Sequence, residues 1–239
     1  MSLPRVFVAL DLDSPEHAVD MAQQFEGIPC GIKIGSKLFT AGGPSLILAL
    51  RQRLFPIFLD LKYHDIPEVV AGAVREATKL RVQMLTVHAS GGRRMMQAAQ
   101  QAAREEARAL SIPAPMVLAV SVLTSLSAEE VSTLGWPGSP AQVVERLARL
   151  AAEAGVEGLV CSPLELELLR SLNLPLRKLT PGIRLSGPVN AHDDQVRTAT
   201  PEQALAAGAD WLVIGRPITT APDPALALRQ VLARLDNGA

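Results

Sequence analysis

Short apolar runs rich in β-branched residues alternate along the chain with longer segments of mixed polarity. The runs are Val6–Leu10, Gly31–Ile34, Ile57–Leu61, Leu85–His88, Val117–Leu123, Gly158–Cys161, Lys178–Thr180 and Trp211–Gly215. Most are apolar at nearly every position, as a strand covered on both faces of a parallel sheet requires. Between them, Pro67–Leu80, Arg93–Leu110 and Ala141–Ala154 carry the amphipathic spacing of helices. Helix starts are well marked. Ser14-Pro15, Ser139-Pro140, Ser162-Pro163 and Thr200-Pro201 each set a capping side chain before a proline suited to the first helical position. Capping boxes pair Ser139 with Gln142, Ser162 with Glu165, Thr200 with Gln203 and Ser127 with Glu130. Eight strands alternating with helices predict a (β/α)8 TIM barrel spanning residues 1–239 as a single domain. A doubly wound open sheet is the alternative architecture.

Composition narrows the field. The 239 residues are 48% hydrophobic and 20% charged, with a net charge of −1, which excludes a disordered chain. Near-neutral charge and 3% aromatic content argue against a nucleic-acid partner. No apolar run approaches the length of a membrane span, and the N-terminus lacks the pattern of a signal peptide. Cys30 and Cys161 are too few for a disulfide scaffold. These features predict a cytoplasmic protein with no membrane contact. One imbalance stands out: of 23 basic residues only five are lysines, namely Lys33, Lys37, Lys62, Lys79 and Lys178. Arginine keeps its proton in proteins, whereas lysine can transfer one, so each lysine raises a question of purpose.

Barrel enzymes place their chemistry at the C-terminal ends of the strands. Strand one ends at Asp11, strand two carries Lys33 between Ile32 and Ile34, and strand three runs Asp60-Leu61-Lys62 into Tyr63-His64-Asp65-Ile66-Pro67. Residues two apart on a strand share a face. If Leu61 meets the helices, Asp60 and Lys62 face the barrel mouth, and Lys33 between its isoleucines turns the same way. The cluster reads either as a structural ion-pair network or as a proton-handling site. Asp65 also reads as a cap for the helix at Pro67, and Asp11 as a cap for the helix after Ser14. His64 and His88 read as neutral hydrogen-bonded residues beside the mouth. Lys37, Lys79 and Lys178 read as surface residues.

Strands seven and eight lead into Pro181-Gly182-Ile183-Arg184 and Gly215-Arg216, where barrels often bind phosphate. Gly215 allows backbone approach to an anion, and Arg184 and Arg216 can grip phosphate oxygens. Gln195 sits in a long polar stretch, Leu185–Arg197, that reads as a mobile lid. There is no GxGxxG after a strand, no Walker loop and no GxSxG elbow, and the four histidines lack zinc-ligand spacing, so no metal site is predicted.

The segment Asp60-Leu61-Lys62-Tyr63-His64-Asp65-Ile66-Pro67 resembles the signature of the orotidine 5′-phosphate decarboxylase family. The likeness runs over nearly the whole chain. It takes in Ala9-Leu10-Asp11, Lys33-Ile34-Gly35, Val87-His88-Ala89, Leu123-Thr124-Ser125, Pro181-Gly182-Ile183-Arg184, Asp193-Asp194-Gln195 and Ile214-Gly215-Arg216-Pro217-Ile218. Sugar-phosphate enzymes of the same barrel superfamily share the DxKxxD core, whereas the full octapeptide with the DDQ and IGR segments is far more specific. The resemblance implies cofactor-free decarboxylation of orotidine 5′-monophosphate (OMP) to uridine 5′-monophosphate (UMP), in a homodimer with shared active sites. Lys62 would then be the proton donor, in a charge network with Lys33, Asp60 and Asp65, the last supplied in trans. Asp11 with Lys33 would bind the ribose, Thr124 and Ser127 the pyrimidine, and Arg184, Gln195, Gly215 and Arg216 the phosphate. Ile66 would join the substrate-binding set.

The implied chemistry suits these residue types. Loss of CO2 from C6 leaves an in-plane carbanion, and a lysine ammonium can both face that charge and protonate it. One departure is clear: the family usually continues its signature with Asn-Thr, and here Glu68 and Val69 stand in those places. Val69 cannot donate the hydrogen bond of that threonine. Two other readings remain open at the level of sequence. One is a Mg²⁺-dependent lyase such as 3-hexulose-6-phosphate synthase or 3-keto-L-gulonate-6-phosphate decarboxylase, which resemble one another in having Glu where this chain has Lys33. The other is an inactive barrel serving as a binding protein.

Overall fold

A computed structural model describes residues 3–185 and 198–237. The chain alternates β1 (Val6–Leu10), α1 (Pro15–Gln23), β2 (Gly31–Gly35), α2 (Ser36–Gln52), β3 (Ile57–Tyr63), α3 (Pro67–Lys79), β4 (Met84–His88) and α4 (Gly92–Ala109). It continues as β5 (Met116–Val120), α5 (Ala128–Thr133), α6 (Pro140–Ala154), β6 (Gly158–Val160), α7 (Leu166–Ser171), β7 (Arg177–Thr180), α8 (Pro201–Ala207), β8 (Trp211–Ile214), α9 (Arg216–Thr219) and α10 (Pro224–Asn237). Every strand pair is parallel, and β8 returns to β1 with Val6 opposite Leu212. The sheet therefore closes in the order β1 to β8, and the open doubly wound alternative falls.

Alternation on the strands divides the core into two layers. Phe7, Phe58, Met84, Leu118, Leu179 and Trp211 point inward and fill the barrel. Their chain neighbours Val6, Val8, Leu59, Leu85 and Leu212 point outward and pack under the helices. The interior is thus a packed core and not a pore, and only the residues at the strand ends remain for chemistry. Gly31 makes one tight place possible: a Cβ there would fall 2.4 Å from the Phe7 ring.

The capping signals act as written. Ser14 accepts from the His17 amide, and complete boxes form at Ser127, Ser139, Ser162 and Thr200. Ser162 starts a single 3₁₀ turn at Pro163–Glu165, not an α-helix directly. Asp65 is not a cap. Ile66 occupies the cap position of α3 with no side-chain bond, and Asp65 Oδ1 instead accepts from the adjoining Ile66 amide at 2.6 Å. Two strand ends differ from the sequence reading by more than one residue. β5 stops at Val120, although Ser121 still donates to the Val160 carbonyl from its amide at 3.2 Å and from its hydroxyl at 2.8 Å. β3 runs on to Tyr63, and that extension carries the charged motif.

Candidate active site

The strand ends open into one cavity of about 510 Å³. Asp11, Lys33, Asp60, Lys62, Thr124, Arg184, Gly215 and Arg216 all line it. Lys33 follows the inward face of β2, lying between Ala9 of β1 and Phe58 of β3 in register. Its side chain is only 9% exposed, and its ammonium donates to Asp11 Oδ1 at 2.7 Å. Asp11 is therefore committed to Lys33, while Ser14 caps α1.

On β3, Phe58 and Asp60 continue the inward face, and Leu61 packs outward against the helix layer. Lys62 Nζ donates to Asp60 Oδ2 at 2.6 Å, with the two side chains 34% and 13% exposed. At this depth an unpaired charge would be costly, so the pair holds its members in place. Tyr63 packs outward, and burial pushes its phenol up to about 12. It stays neutral at ordinary pH.

The sequence reading missed Thr86. This fully buried β4 residue donates its hydroxyl to Asp60 Oδ1 at 2.9 Å and accepts from the Lys62 amide at 2.9 Å. The signal was present, since Met84, Thr86 and His88 alternate onto one face of β4, but a threonine in a strand is unremarkable by itself. His88 stacks beside His64 with ring centroids 5.2 Å apart and planes tilted by 38°. Burial lowers the His88 imidazole below the ordinary 6.5; nearby His64 and Lys62 add to this, against a smaller opposing effect of Asp60. The neutral reading of His88 follows from that environment.

On the opposite wall, the chain after β7 is pinned by the Arg184 amide donating to the Ala199 carbonyl at 2.9 Å and by Ala199 returning to the Gly182 carbonyl at 3.2 Å. Arg184 Nη1 donates to the Ile183 carbonyl at 3.0 Å. Gly215 and Arg216 leave β8 at the same rim, and Thr219 and Thr220 extend that wall. Thr124 is buried on the third side, where Val122, Leu123 and Ser125 also line the cavity. One side of the cavity thus carries paired lysines and carboxylates, and the other carries arginines.

Other expected residues lie elsewhere. Ser127 is occupied in its capping box and does not line the cavity, where Ser125 stands instead. Asp65 is exposed outside the cavity of this chain, next to Ile66 at 64% and Val69 at 50% exposure. Gln195 and most of the expected lid fall outside the described residues. Lys37 and Lys79 are surface residues paired with Asp13 and Glu76, and Lys178 is half-buried. Among the described residues, no three His, Cys, Asp or Glu side chains converge as a metal site, and no helix is long and apolar enough to cross a membrane.

Comparison with known proteins gives a consistent picture. The profile of the "Orotidine 5'-phosphate decarboxylase / HUMPS family" matches residues 4–231. A protein of Nitrosococcus oceani named orotidine 5'-phosphate decarboxylase is 47% identical over 238 residues, covering 99% of this chain and 100% of its own. One of the same name from Pseudomonas fluorescens is 46% identical over 230 residues, covering 96% and 97%. Among solved structures, the orotidine 5'-phosphate decarboxylase of Lactobacillus acidophilus superposes with a TM-score of 0.85 at 33% identity, over 98% of this chain and 100% of that one.

Proposed function

The chain belongs to the orotidine 5'-phosphate decarboxylase / HUMPS family, and on that premise we propose how its barrel mouth converts OMP to UMP and CO2 in pyrimidine biosynthesis. The observation that carries the reading is the pair of lysine–carboxylate contacts, Lys62–Asp60 and Lys33–Asp11, in one cavity with Arg184 and Arg216. The arginines receive the phosphate, and the pyrimidine lies toward Thr124 and Lys62. The C6–carboxylate bond breaks heterolytically, CO2 leaves, and the electron pair stays on C6. The Lys62 ammonium faces that pair, stabilises it and passes it a proton, and solvent then reprotonates the amine. Asp60 holds the ammonium in position before and during the step. Asp11 and Lys33 take the ribose hydroxyls. Binding of the remote phosphate supplies free energy that orients the ring at the reacting end.

Lys33 supports this reading over a Mg²⁺-dependent lyase. Its ammonium lies 2.7 Å from Asp11, so a dication at that carboxylate would meet a fixed like charge. The test is decarboxylation of OMP in excess EDTA, followed by loss of orotate absorbance. Fast conversion is expected. Turnover confined to added Mg²⁺ with a sugar phosphate would contradict it.

We assign the working form as a homodimer in the cytoplasm. The compartment rests on the two free, buried cysteines. The dimer rests on Asp65, a carboxylate outside its own cavity, flanked by the exposed apolar Ile66 and Val69. A second copy docked there would cover that patch and carry Asp65 toward the neighbouring Lys62. Mixing Lys62→Ala and Asp65→Ala chains should then restore activity through hybrids with one complete site. No recovery after verified subunit exchange would refute the shared site.

A further inference from the structure

We infer that Thr86 is a positioning residue for Lys62, acting through Asp60, and that its hydroxyl sets the geometry of the proton donor. The inference rests on the functional reading above but concerns a residue outside the cavity. It begins with a slip in the sheet. β3 and β4 pair Leu59 with Leu85, and the next matched pair is Tyr63 with Val87. β3 therefore spends four steps where β4 spends two. Within the bulge Lys62 has a φ of 51°, a left-handed conformation uncommon for a non-glycine residue. A bulge of this kind re-aims side chains, and here it brings Lys62 round to Asp60.

The bulge also takes the Lys62 amide out of the ladder, and a buried amide needs an acceptor. Thr86 Oγ1 provides it at 2.9 Å. That contact fixes the direction of the second one. An amide can only donate, so the hydroxyl accepts there, and its own proton goes to Asp60 Oδ1 at 2.9 Å. Asp60 Oδ2 then receives the Lys62 ammonium at 2.6 Å. The result is a closed ring: Lys62 amide, Thr86 hydroxyl, Asp60 carboxylate, Lys62 ammonium. Lysine is a flexible four-carbon chain, and this ring holds it at both ends. A β-branched threonine has a stiff χ1, and this one is fully buried, so the hydroxyl is itself well placed. Thr86 lies behind Asp60 and Lys62 and does not itself line the cavity, so it orients the donor without contacting the substrate.

Thr86→Val keeps the shape and removes both hydrogen bonds. We expect kcat for OMP to fall about 10- to 100-fold, the range for lost bonds to a charged group. KM for OMP and affinity for UMP should stay close to wild type, because the phosphate and base walls are untouched. Thr86→Ser should restore most of kcat. Thr86→Cys, which packs similarly and bonds weakly, should fall between Ser and Val, and it carries the test if the valine chain does not fold. A valine or cysteine chain with wild-type kcat would overturn the assignment. So would a parallel loss of kcat and UMP affinity, which marks a merely structural role. A wild-type chain inert toward OMP would instead overturn the functional reading itself.

Discussion

On the β2–β4 side of the mouth, charge sits on lysines and aspartates fixed to strands; on the β7–β8 side it sits on arginines in the segments just beyond the strands. The first side is deep. Lys33 and Thr86 are buried, the Asp60 side chain is 13% exposed, and each ammonium is matched by a carboxylate within 2.7 Å. The second side lies at the rim, where Arg216 is exposed and Arg184 half-buried. In the proposed mechanism the difference follows the work each side does. A proton must be delivered to one atom, so its donor is anchored to the most rigid part of the fold. A phosphate dianion presents several equivalent oxygens and tolerates a forked, more open grip. The scarcity of lysine in an arginine-rich chain reflects the same division. Two of the five lysines line the cavity, where the proposed mechanism calls for a compact charge or a transferable proton, and it gives the arginines the role of a permanent charge.

This contrast predicts that substitutions on the two sides separate kinetically. The largest effect belongs to Lys62→Ala, which should lower kcat by about 10³-fold or more, given the usual worth of a positioned general acid plus a charge facing the carbanion. Binding of UMP should survive, and a calorimetric titration with UMP checks this. Arg216→Ala should reverse the pattern. KM for OMP should rise by about 10- to 100-fold from loss of a charged contact, with a smaller change in kcat, and an unchanged KM would remove Arg216 from the phosphate site.

The smallest effect concerns His88, on the outer edge of the strand side beside His64, Lys62 and Asp60. Its folded-state basicity is depressed, chiefly by burial. Well above the ordinary histidine value folded and unfolded chains are both neutral there, so this residue imposes no penalty. As pH falls through that value the unfolded chain takes up the proton first, and stability declines until the folded value is passed. Urea midpoints should drop modestly over that window in wild type, and His88→Asn should flatten the drop.

Most of the barrel was legible because its signals are local. Apolar runs marked the strands, and Ser-Pro and Thr-Pro pairs marked helix starts, since caps and fixed proline φ act within a few residues. Alternation placed Lys33, Asp60 and Lys62 on the inner face, where the structure has them. Non-local features were harder to see. The β3 bulge depends on register against β4, so neither the left-handed Lys62 nor the task of Thr86 could be read from β3 alone. The run Val117–Leu123 overshot β5, because the last ladder pair is Val120 with Val160 and the apolar Val122 and Leu123 beyond it line the cavity. Asp65 resembled a cap because Asp-Ile-Pro-Glu has the composition of one, yet its carboxylate turns to the adjoining amide. Ser127 was offered to the pyrimidine although its own capping box occupies it.

In the proposed mechanism an ammonium at the end of residue 62 performs the chemistry. The most direct measurement is chemical rescue. Lys62→Cys, alkylated with 2-bromoethylamine, rebuilds a lysine-like side chain with sulfur in place of one methylene. The two native cysteines are buried, and the Cys30 thiol is pushed up to about 12, so the new thiol is the one that reacts. The unmodified variant should bind UMP and fail to decarboxylate OMP, and the alkylated protein should regain much of the lost kcat. A fully alkylated protein, confirmed by mass and still binding UMP, that stays as inactive as the free cysteine would contradict the claim.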